Sequence, residues 1–227
     1  MSSMSKRHVA NREIAMKYEG PQDPATAIKA VKSFKGPKFD QSVEACAHLG
    51  IDPRHADQQL RGSISFPKGV GRSARVVCFC ADDKVDEAKA AGAVEAGGEE
   101  LVAKIDGGWM EFDVAVASPD MMRVVSRLGR ALGPKGLMPS PKAGTVTPDV
   151  LTAVKEYSAG KLEYRNDDGG NIHCVIGKMS FSEGDLLENL EFFIDTINKI
   201  RPAAAKGHYL KRLTISATMT PGIQVTV

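Results

Sequence analysis

The segment KFDQSVE, residues 38–44, carries polar side chains at every second position. If it forms a strand, one face presents a cation, a hydroxyl group and two carboxylates, supplied by Lys38, Ser42, Asp40 and Glu44. A lysine suits a phosphate group, whereas oxygen acceptors suit ribose hydroxyls or base amino groups. The segment therefore suits RNA binding, although an ordinary solvated sheet face is the favoured interpretation if the segment is taken alone.

The C-terminal segment TISATMTPG, residues 214–222, offers a similar mixture. Ser216, Thr218 and Thr220 would share one strand face, and Met219 lies at its far end. Hydroxyl-rich strands usually reflect only β-propensity. Here, however, residues 196–227 hold five basic side chains and no acidic one, so hydroxyl groups and a polarizable methionine beside cations indicate contact with a ribose-phosphate backbone.

The net charge of the 227-residue chain conceals a segregated pattern. The 30 basic and 28 acidic residues leave a formal charge of +2, which alone argues weakly against a nucleic-acid-binding protein. Yet residues 1–38 hold eight basic and three acidic side chains, and residues 121–148 hold five basic side chains and no acidic one. Residues 82–120 hold eleven acidic and three basic side chains. Such blocks set local fields that the sum hides, although any single block is also typical of a solvated face.

An enzyme is the alternative from another functional class. The glycine-rich segment GRALGPKGLMPSPKAG, residues 129–144, matches neither G-x-x-x-x-G-K-[ST] nor G-x-G-x-x-G. A nucleotide-dependent enzyme would need a phosphate-binding loop after residue 81, where ADDKVDEA instead offers acids that repel phosphate. The five histidines lack the spacing of metal ligands, and no G-x-S-x-G motif is present. We therefore expect no catalytic residues and no enzymatic activity.

The cysteine spacing and the lengths of the apolar runs indicate whether the protein binds a metal and in which cellular compartment it lies. Cys78 and Cys80 lie one residue apart in an apolar stretch, which is the pattern of buried thiols and not of a zinc site. Reduced cysteines favour the cytoplasm. No apolar run approaches the roughly 18 residues of a membrane span. The sequence thus predicts a cytoplasmic protein with no metal, no cofactor and no membrane partner.

The periodicity changes twice along the chain, which indicates two domains. Helices are expected over residues 8–18 and from Pro24, capped by Asp23, and strands over 39–48 and 58–66. After PKGVGR, residues 67–72, buried strands at 74–81, near 94 and at 113–118 alternate with helices, one of which runs from Pro119 through residue 132. A loop over 133–148 and a helix over 149–157, capped by Thr147, complete this α/β part.

After residue 160 the sequence alternates again. It predicts a hairpin that turns at residues 168–170, a long amphipathic helix capped by Ser182, and a terminal pair of strands over 211–218 and 222–227. The predicted fold class is α/β and α+β: residues 1–67 plus 160–227 form a discontinuous α+β domain, and residues 68–159 form an inserted three-layer, Rossmann-like α/β domain. Hinges are expected near 67–72 and 158–160, at Gly69, Gly71 and Gly160.

Four segments closely resemble the ribosomal protein L1 family, the stalk protein of the large subunit, in its bacterial type. They are KFDQSVEACAHLGIDPRHADQQLRGSISFPKG, SPDMMRVVSRLGRALGPKGLMPSPKAGTVTPDV, RNDDGGNIHCVIGKMSF and RPAAAKGHYLKRLTISATM. The resemblance runs from about Lys6 to the end of the chain. The fold that it implies, a discontinuous first domain with an inserted α/β domain, agrees with the organisation inferred from the residues.

The resemblance also implies a function and partners. The protein would bind a structured region of large-subunit ribosomal RNA as a monomer within the ribosome, forming the mobile stalk near the exit site and assisting release of deacylated tRNA. It would also repress translation by binding its own messenger RNA. A regulator that binds only messenger RNA stays open as an alternative, because the same RNA face would serve both roles.

The resemblance assigns RNA binding mainly to the first domain. By motif it implicates Lys38, Phe39, Ser42, Glu44, Arg165, Asp167, His173, Lys206, Ser216, Thr218 and Met219. Phe39 could stack on a base or pack internally. The loop over 133–145 would serve the second domain's own structure and contact tRNA or RNA.

Three positions depart from the family pattern. Asp168 stands where lysine is frequent, Thr220 where glycine is usual, and Ser140 where asparagine is common.

Overall fold

The computed structural model describes residues 4–227, with the backbone alone at Asp82. The strands are β1 (Ser42–Leu49), β2 (Arg61–Ile64), β3 (Val76–Phe79), β4 (Ala93–Gly97), β5 (Val114–Ala117), β6 (Leu162–Arg165), β7 (Asn171–Lys178), β8 (Leu210–Ala217) and β9 (Ile223–Val225). The helices are α1 (Lys6–Ala15), α2 (Pro24–Ser33), α3 (Val85–Ala90), α4 (Glu99–Asp106), α5 (Met122–Val125), α6 (Gly129–Leu132), α7 (Val150–Ser158) and α8 (Glu183–Lys199). None of the helices in these residues is long and apolar enough to span a membrane.

The described chain divides into two compact units. The first unit comprises residues 4–71 and 164–227, and the second unit comprises residues 72–163. Both contain helices and sheets, which confirms the mixed fold class. Gly69, Gly71 and Gly160 all adopt positive φ angles, of +64°, +71° and +106°, a region that favours glycine.

The first unit is built on a four-stranded antiparallel sheet in the order β7-β1-β8-β9. Helices α2 and α8 pack on one face of this sheet and against each other. Helix α8 begins where the Ser182 hydroxyl accepts a hydrogen bond from the Asp185 amide, as the sequence predicts. Its buried side chains, Leu186, Leu190, Phe193 and Ile197, cover the apolar half of the sheet. The other half of the alternating side chains therefore points away from the helices.

The predicted hairpin over residues 161–181 is wrong. Strand β6 pairs with β2 in a separate two-stranded sheet, and only the bridge Asn166–Ile172 joins it to β7. The reason is Asn166, whose side-chain oxygen accepts from the Leu60 backbone amide while the Asn166 backbone amide donates to the Leu60 carbonyl. The predicted turn at residues 168–170 is present, with Gly170 at a φ of +75°.

The second unit contains a three-stranded parallel sheet in the order β4-β3-β5. Alternate residues of β3 face opposite layers: Val76 and Cys78 pack with α3 and α7, whereas Val77 and Phe79 pack with α4 and the α5–α6 segment. The cores on the two faces make this unit a three-layer α/β structure. Cys78 and Cys80 are fully buried, and burial raises the pKa of the Cys78 thiol to about 12.

Two helix predictions in the second unit need correction. Helix α7 is capped by Asp149 and not by Thr147, because the Asp149 carboxylate accepts from the Thr152 amide. The Thr147 hydroxyl instead accepts from the Asp149 amide. The predicted helix over 119–132 is divided into α5, a 3-10 turn over Ser126–Leu128 and α6. At the division the Ser126 hydroxyl donates to the Arg123 carbonyl, a local bond that competes with regular helix geometry.

A buried asparagine in α8 bonds to the backbone of residues 68–69, near the point where the chain leaves the first unit. Asn189 of α8 is fully buried, and its side-chain oxygen accepts from the Lys68 amide at 3.2 Å. Its amide nitrogen donates to the carbonyls of Gly69 at 2.9 Å and Ile176 at 2.8 Å. One side chain thus satisfies three backbone groups, of which the Ile176 carbonyl is buried and the other two are partly buried.

Asn189→Ala should lower the free energy of unfolding by about 3 kcal/mol, because it leaves these backbone groups unpaired. Denaturant unfolding followed by circular dichroism measures the change. Asn198→Ala, at an exposed position of the same helix, is the control and should change stability by less than about 0.5 kcal/mol. Equal effects of the two substitutions would contradict the anchoring role of Asn189.

Candidate nucleic-acid interface

The sheet of the first unit has one face that its helices leave uncovered, which we call the open face. Its side chains are partly or fully exposed, whereas the residues that lie between them in each strand are buried. Cross-strand pairing sets them in rows: Glu44 lies opposite Ser216 and Val175, and Cys46 lies opposite Thr214 and His173. The open face consists of Ser42, Glu44, Cys46, His48, Asn171, His173, Val175, Lys178, Arg212, Thr214, Ser216 and Gln224.

Hydrogen bonds join the start of β1 to the turn after β8 at one corner of the open face. The Thr218 amide donates to the Ser42 carbonyl at 3.1 Å, and the Thr218 hydroxyl accepts from the Ser42 amide at 3.2 Å. Gln41 is 2% exposed, and its side-chain oxygen accepts from the Met219 amide at 2.9 Å. Lys178 donates to the Ser42 hydroxyl at 2.9 Å. We call Gln41, Ser42, Lys178, Thr218 and Met219 the Ser42 corner.

Two large apolar side chains are exposed here, one in the Ser42 corner and one in the segment that precedes β1. Phe39 and Met219 each leave 51% of their surface accessible. Phe39 therefore does not pack into the core, which leaves its ring available for stacking. The Met219 sulfur lies 3.4 Å from a guanidinium nitrogen of Arg7 in α1, so a cation accompanies it.

The two predicted strand faces are shorter than the sequence suggested. Strand β1 begins only at Ser42, so Lys38 and Asp40 precede it, and Asp40 accepts hydrogen bonds from the Ser180 amide and hydroxyl at 3.1 and 2.8 Å. Strand β8 ends at Ala217, so Thr218 and Thr220 lie in the following turn. The Thr220 hydroxyl accepts from the Ala217 amide at 2.9 Å, which stabilises the turn without the positive φ that would require glycine.

Asp167 organises the turn that leads into β7. One carboxylate oxygen accepts from the amides of Gly169 and Asn171 at 2.9 and 2.7 Å, and the other accepts from the Asn171 side chain at 2.9 Å. These bonds, foremost the one from the Asn171 side chain, lower the pKa of Asp167. The Asn171 oxygen lies 2.8 Å from Nδ1 of His48, and His173 Nε2 lies 3.6 Å from Asp167. A polar network therefore crosses from the turn to β1.

The remaining predicted residues lie at exposed positions of the first unit. Arg165 ends β6, and Lys206 lies in a loop that Arg201 holds through hydrogen bonds to the carbonyls of Ala205 and Gly207. The structure thus places Ser42, Glu44, His173 and Ser216 on the open face itself. Thr218 and Met219 lie at its corner, and Asp167 lies in the adjoining turn.

Sequence reasoning missed several members of the open face. Arg212 and Thr214 occupy the same alternating positions of β8 as Ser216, so the period of two could have found them. Lys178 could not be found in this way. In β7, Val175 pairs with Glu44 and Gly177 pairs with Val43, so Ile176 is an extra residue that forms a β-bulge. Ile176 and Gly177 are both buried. The bulge turns Lys178 outward, whereas strict alternation from His173 would point it inward.

The chemistry of the open face is that of a binding surface. It offers hydroxyl groups, cations, an exposed carboxylate and imidazoles. Burial is the main cause that raises the pKa of the Cys46 thiol, which keeps it protonated and unsuited to nucleophilic attack. Within residues 4–227 no group of three or more His, Cys, Asp or Glu side chains is placed to hold a metal ion.

The glycine-rich segment of the second unit serves the structure of that unit. Its Ser140 bonds to Thr145, the residue that follows the segment, and the Tyr157 hydroxyl of α7 donates to the Ala143 carbonyl at 2.7 Å. Helix α4, which follows the edge strand β4, carries Glu99 and Glu100 in its first turn, and these carboxylates oppose phosphate binding there.

Asp167→Asn should destabilise the protein at neutral pH, since an amide cannot accept all the bonds that the carboxylate accepts. The folded-state pKa of Asp167 lies below its ordinary value, so its stabilising effect is present above about pH 4 and is lost as pH falls through the folded pKa. Unfolding curves of wild type and variant should therefore converge in acid. Asp168→Asn, at the next position, is the control and should change stability little at any pH. A difference between wild type and Asp167→Asn that stays constant as pH falls would contradict this account.

Comparisons with known proteins identify the family of the chain. The family described as "Ribosomal protein L1p/L10e family" matches residues 30–221 of the chain. The "Large ribosomal subunit protein uL1" of Nocardioides sp. is 50% identical over 202 residues, which span 89% of this chain and 84% of that relative. The chain belongs to the ribosomal protein L1 family, whose members are structural, non-enzymatic constituents of the ribosome.

Proposed function

We propose that the protein binds large-subunit ribosomal RNA through the open face of its first unit and forms the mobile stalk near the tRNA exit site. There it assists release of deacylated tRNA, acting as a monomer within the cytoplasmic ribosome. We further propose that it represses translation by binding a similar structure in its own messenger RNA. Family membership supports a ribosomal role, and the relative named above is a protein of the large subunit.

The observation that carries the proposal is the one-sided burial of the four-stranded sheet. Helices α2 and α8 cover the apolar face, while the polar face stays accessible over all four strands. RNA-binding sheets work in this way, presenting hydroxyl groups, cations and stacking groups on a rigid platform. The first unit thus supplies a wide surface whose side chains are already oriented.

The side chains divide the work of recognition by their chemistry. Lys38, Arg165, Arg212 and Lys206 are exposed cations that suit phosphate groups, while Ser216 suits ribose or backbone atoms. Glu44 accepts hydrogen bonds but repels phosphate, so it suits base amino groups. Phe39 and Met219 provide apolar surface for a base. Carboxylates and apolar groups on such a face favour a particular RNA structure over RNA in general.

The second unit would move with the stalk. We propose that residues 1–67 plus 160–227 and residues 68–159 act as two domains, with hinges near 67–72 and 158–160. The positive φ angles of Gly69, Gly71 and Gly160 support this role, because glycine changes between such backbone conformations at low cost. The exposed cations of residues 121–148, including Arg123, Arg127 and Lys135, would contact tRNA or RNA as the second unit approaches.

The combined variant Ser216→Ala/Thr218→Ala/Met219→Ala should weaken binding to a stalk fragment of large-subunit RNA by about 100-fold. It removes the Ser216 hydroxyl and the Met219 side chain from the surface, and it removes the Thr218 hydroxyl that fixes the backbone of Ser42. Fluorescence titration at several salt concentrations measures the affinity, which should fall as salt rises. Thr26→Ala/Lys29→Ala/Asn198→Ala alters exposed positions on the helices behind the sheet and should bind like wild type. The site assignment fails if the two triple variants bind equally well.

A further inference from the structure

We propose that Lys178 and Ser42 form a phosphate-binding site at the Ser42 corner, a refinement that rests on the proposed function. Lys178 supplies the positive charge and the Ser42 hydroxyl supplies a hydrogen bond to the same group. The ligand is a phosphodiester of the bound RNA. Three observations carry this inference: the direction of the lysine, the hydrogen bonds already used at Ser42, and the absence of a paired carboxylate among the described residues.

The β-bulge is the first observation. Since Ile176 and Gly177 both face the core, Lys178 points to the open face and pairs with Ser42 across the two strands. Bulges commonly re-aim a single side chain at a functional site. The lysine is half-buried, so its stem is held in place while its ammonium group reaches the hydroxyl of Ser42 at 2.9 Å.

The hydrogen bonds of Ser42 are the second observation. An ammonium group only donates, so the Ser42 hydroxyl must accept from Lys178. The Ser42 amide and carbonyl are already bonded to Thr218. The hydroxyl proton of Ser42 is therefore left to donate to a further group. A cation and a donated proton that converge on one point suit an anionic oxygen.

Thr218 has a different role from Ser42. Its hydroxyl accepts from the Ser42 amide at 3.2 Å and lies 3.4 Å from the Ser42 carbonyl, to which it donates. Its amide also donates to that carbonyl. Thr218 is thus a positioning residue that fixes the backbone of Ser42, whereas the Ser42 side chain contacts the ligand.

The charge of Lys178 is the third observation. Within residues 4–227 it forms no ion pair with a carboxylate. Asp40, from the neighbouring segment, is bonded to Ser180 instead. A phosphate group at this point would supply the counter-ion that the ammonium group of Lys178 lacks. Lys178 therefore differs from the exposed cations, which water solvates fully.

The test is the salt dependence of binding between the full chain and the stalk fragment of large-subunit RNA. Lys178→Gln removes one charge, so the slope of log K against log salt should fall by roughly 0.7–0.9, the value for one lost phosphate contact. Affinity should fall about tenfold, as expected for one charge-assisted hydrogen bond. Lys29→Gln removes an exposed lysine behind the sheet and should leave the slope unchanged.

Two further variants separate contact from stability. Lys178→Arg keeps the charge and should keep the slope, and thermal unfolding of each variant shows whether the fold is intact. Ser42→Ala should weaken binding several-fold with an unchanged slope, and wild-type affinity in this variant would overturn the donor role of Ser42. A Lys178→Gln variant that retains the wild-type slope would overturn the phosphate site while the proposed function stands. If wild type itself fails to bind the fragment, both are overturned.

Discussion

The first unit depends on the burial of one face of a single antiparallel sheet. Strand β1 lies inside this sheet, between β7 and β8, and its residues Val43, Ala45 and Ala47 are almost completely buried. Because side chains alternate across a strand, burying these residues forces their neighbours to the opposite face. The register of β1 is therefore fixed by the core, and the polar arrangement of the open face follows from it. A slip of one residue would exchange the two faces.

The polar side chains of the open face are held by each other as well as by the backbone. Asp167 orients Asn171, which in turn contacts His48, and Gln41 fixes the backbone of Met219 from a buried position. Side chains that are already ordered lose less conformational entropy when a ligand binds. For the proposed binding of RNA this order matters, because a net charge of only +2 gives weak bulk attraction and the placement of side chains must contribute more.

The sequence predicts the parts of this structure that follow from regular periods and local caps. The mixed fold, the caps of α2 and α8 and the buried strands of the second unit were all accessible, because each depends on neighbouring residues. The features that could not be predicted from the sequence depend on contacts between residues far apart in the chain. Asn166 takes β6 to another sheet through Leu60, Asp40 is drawn out of a strand by Ser180, and the bulge at Ile176 and Gly177 reverses the direction of Lys178. In each case the deciding contact lies more than 100 positions away or in another strand.

Gly71 also leaves room for the side chain of Lys178. A β-carbon there would lie 2.9 Å from Cγ of Lys178 and 2.9 Å from the Phe181 ring, so the stem of the lysine runs directly against the bare backbone. Any side chain at this position would press on the lysine and shift its ammonium group relative to Ser42. If Lys178 binds RNA as proposed, substitutions at residue 71 would change the affinity for RNA although residue 71 itself does not touch it.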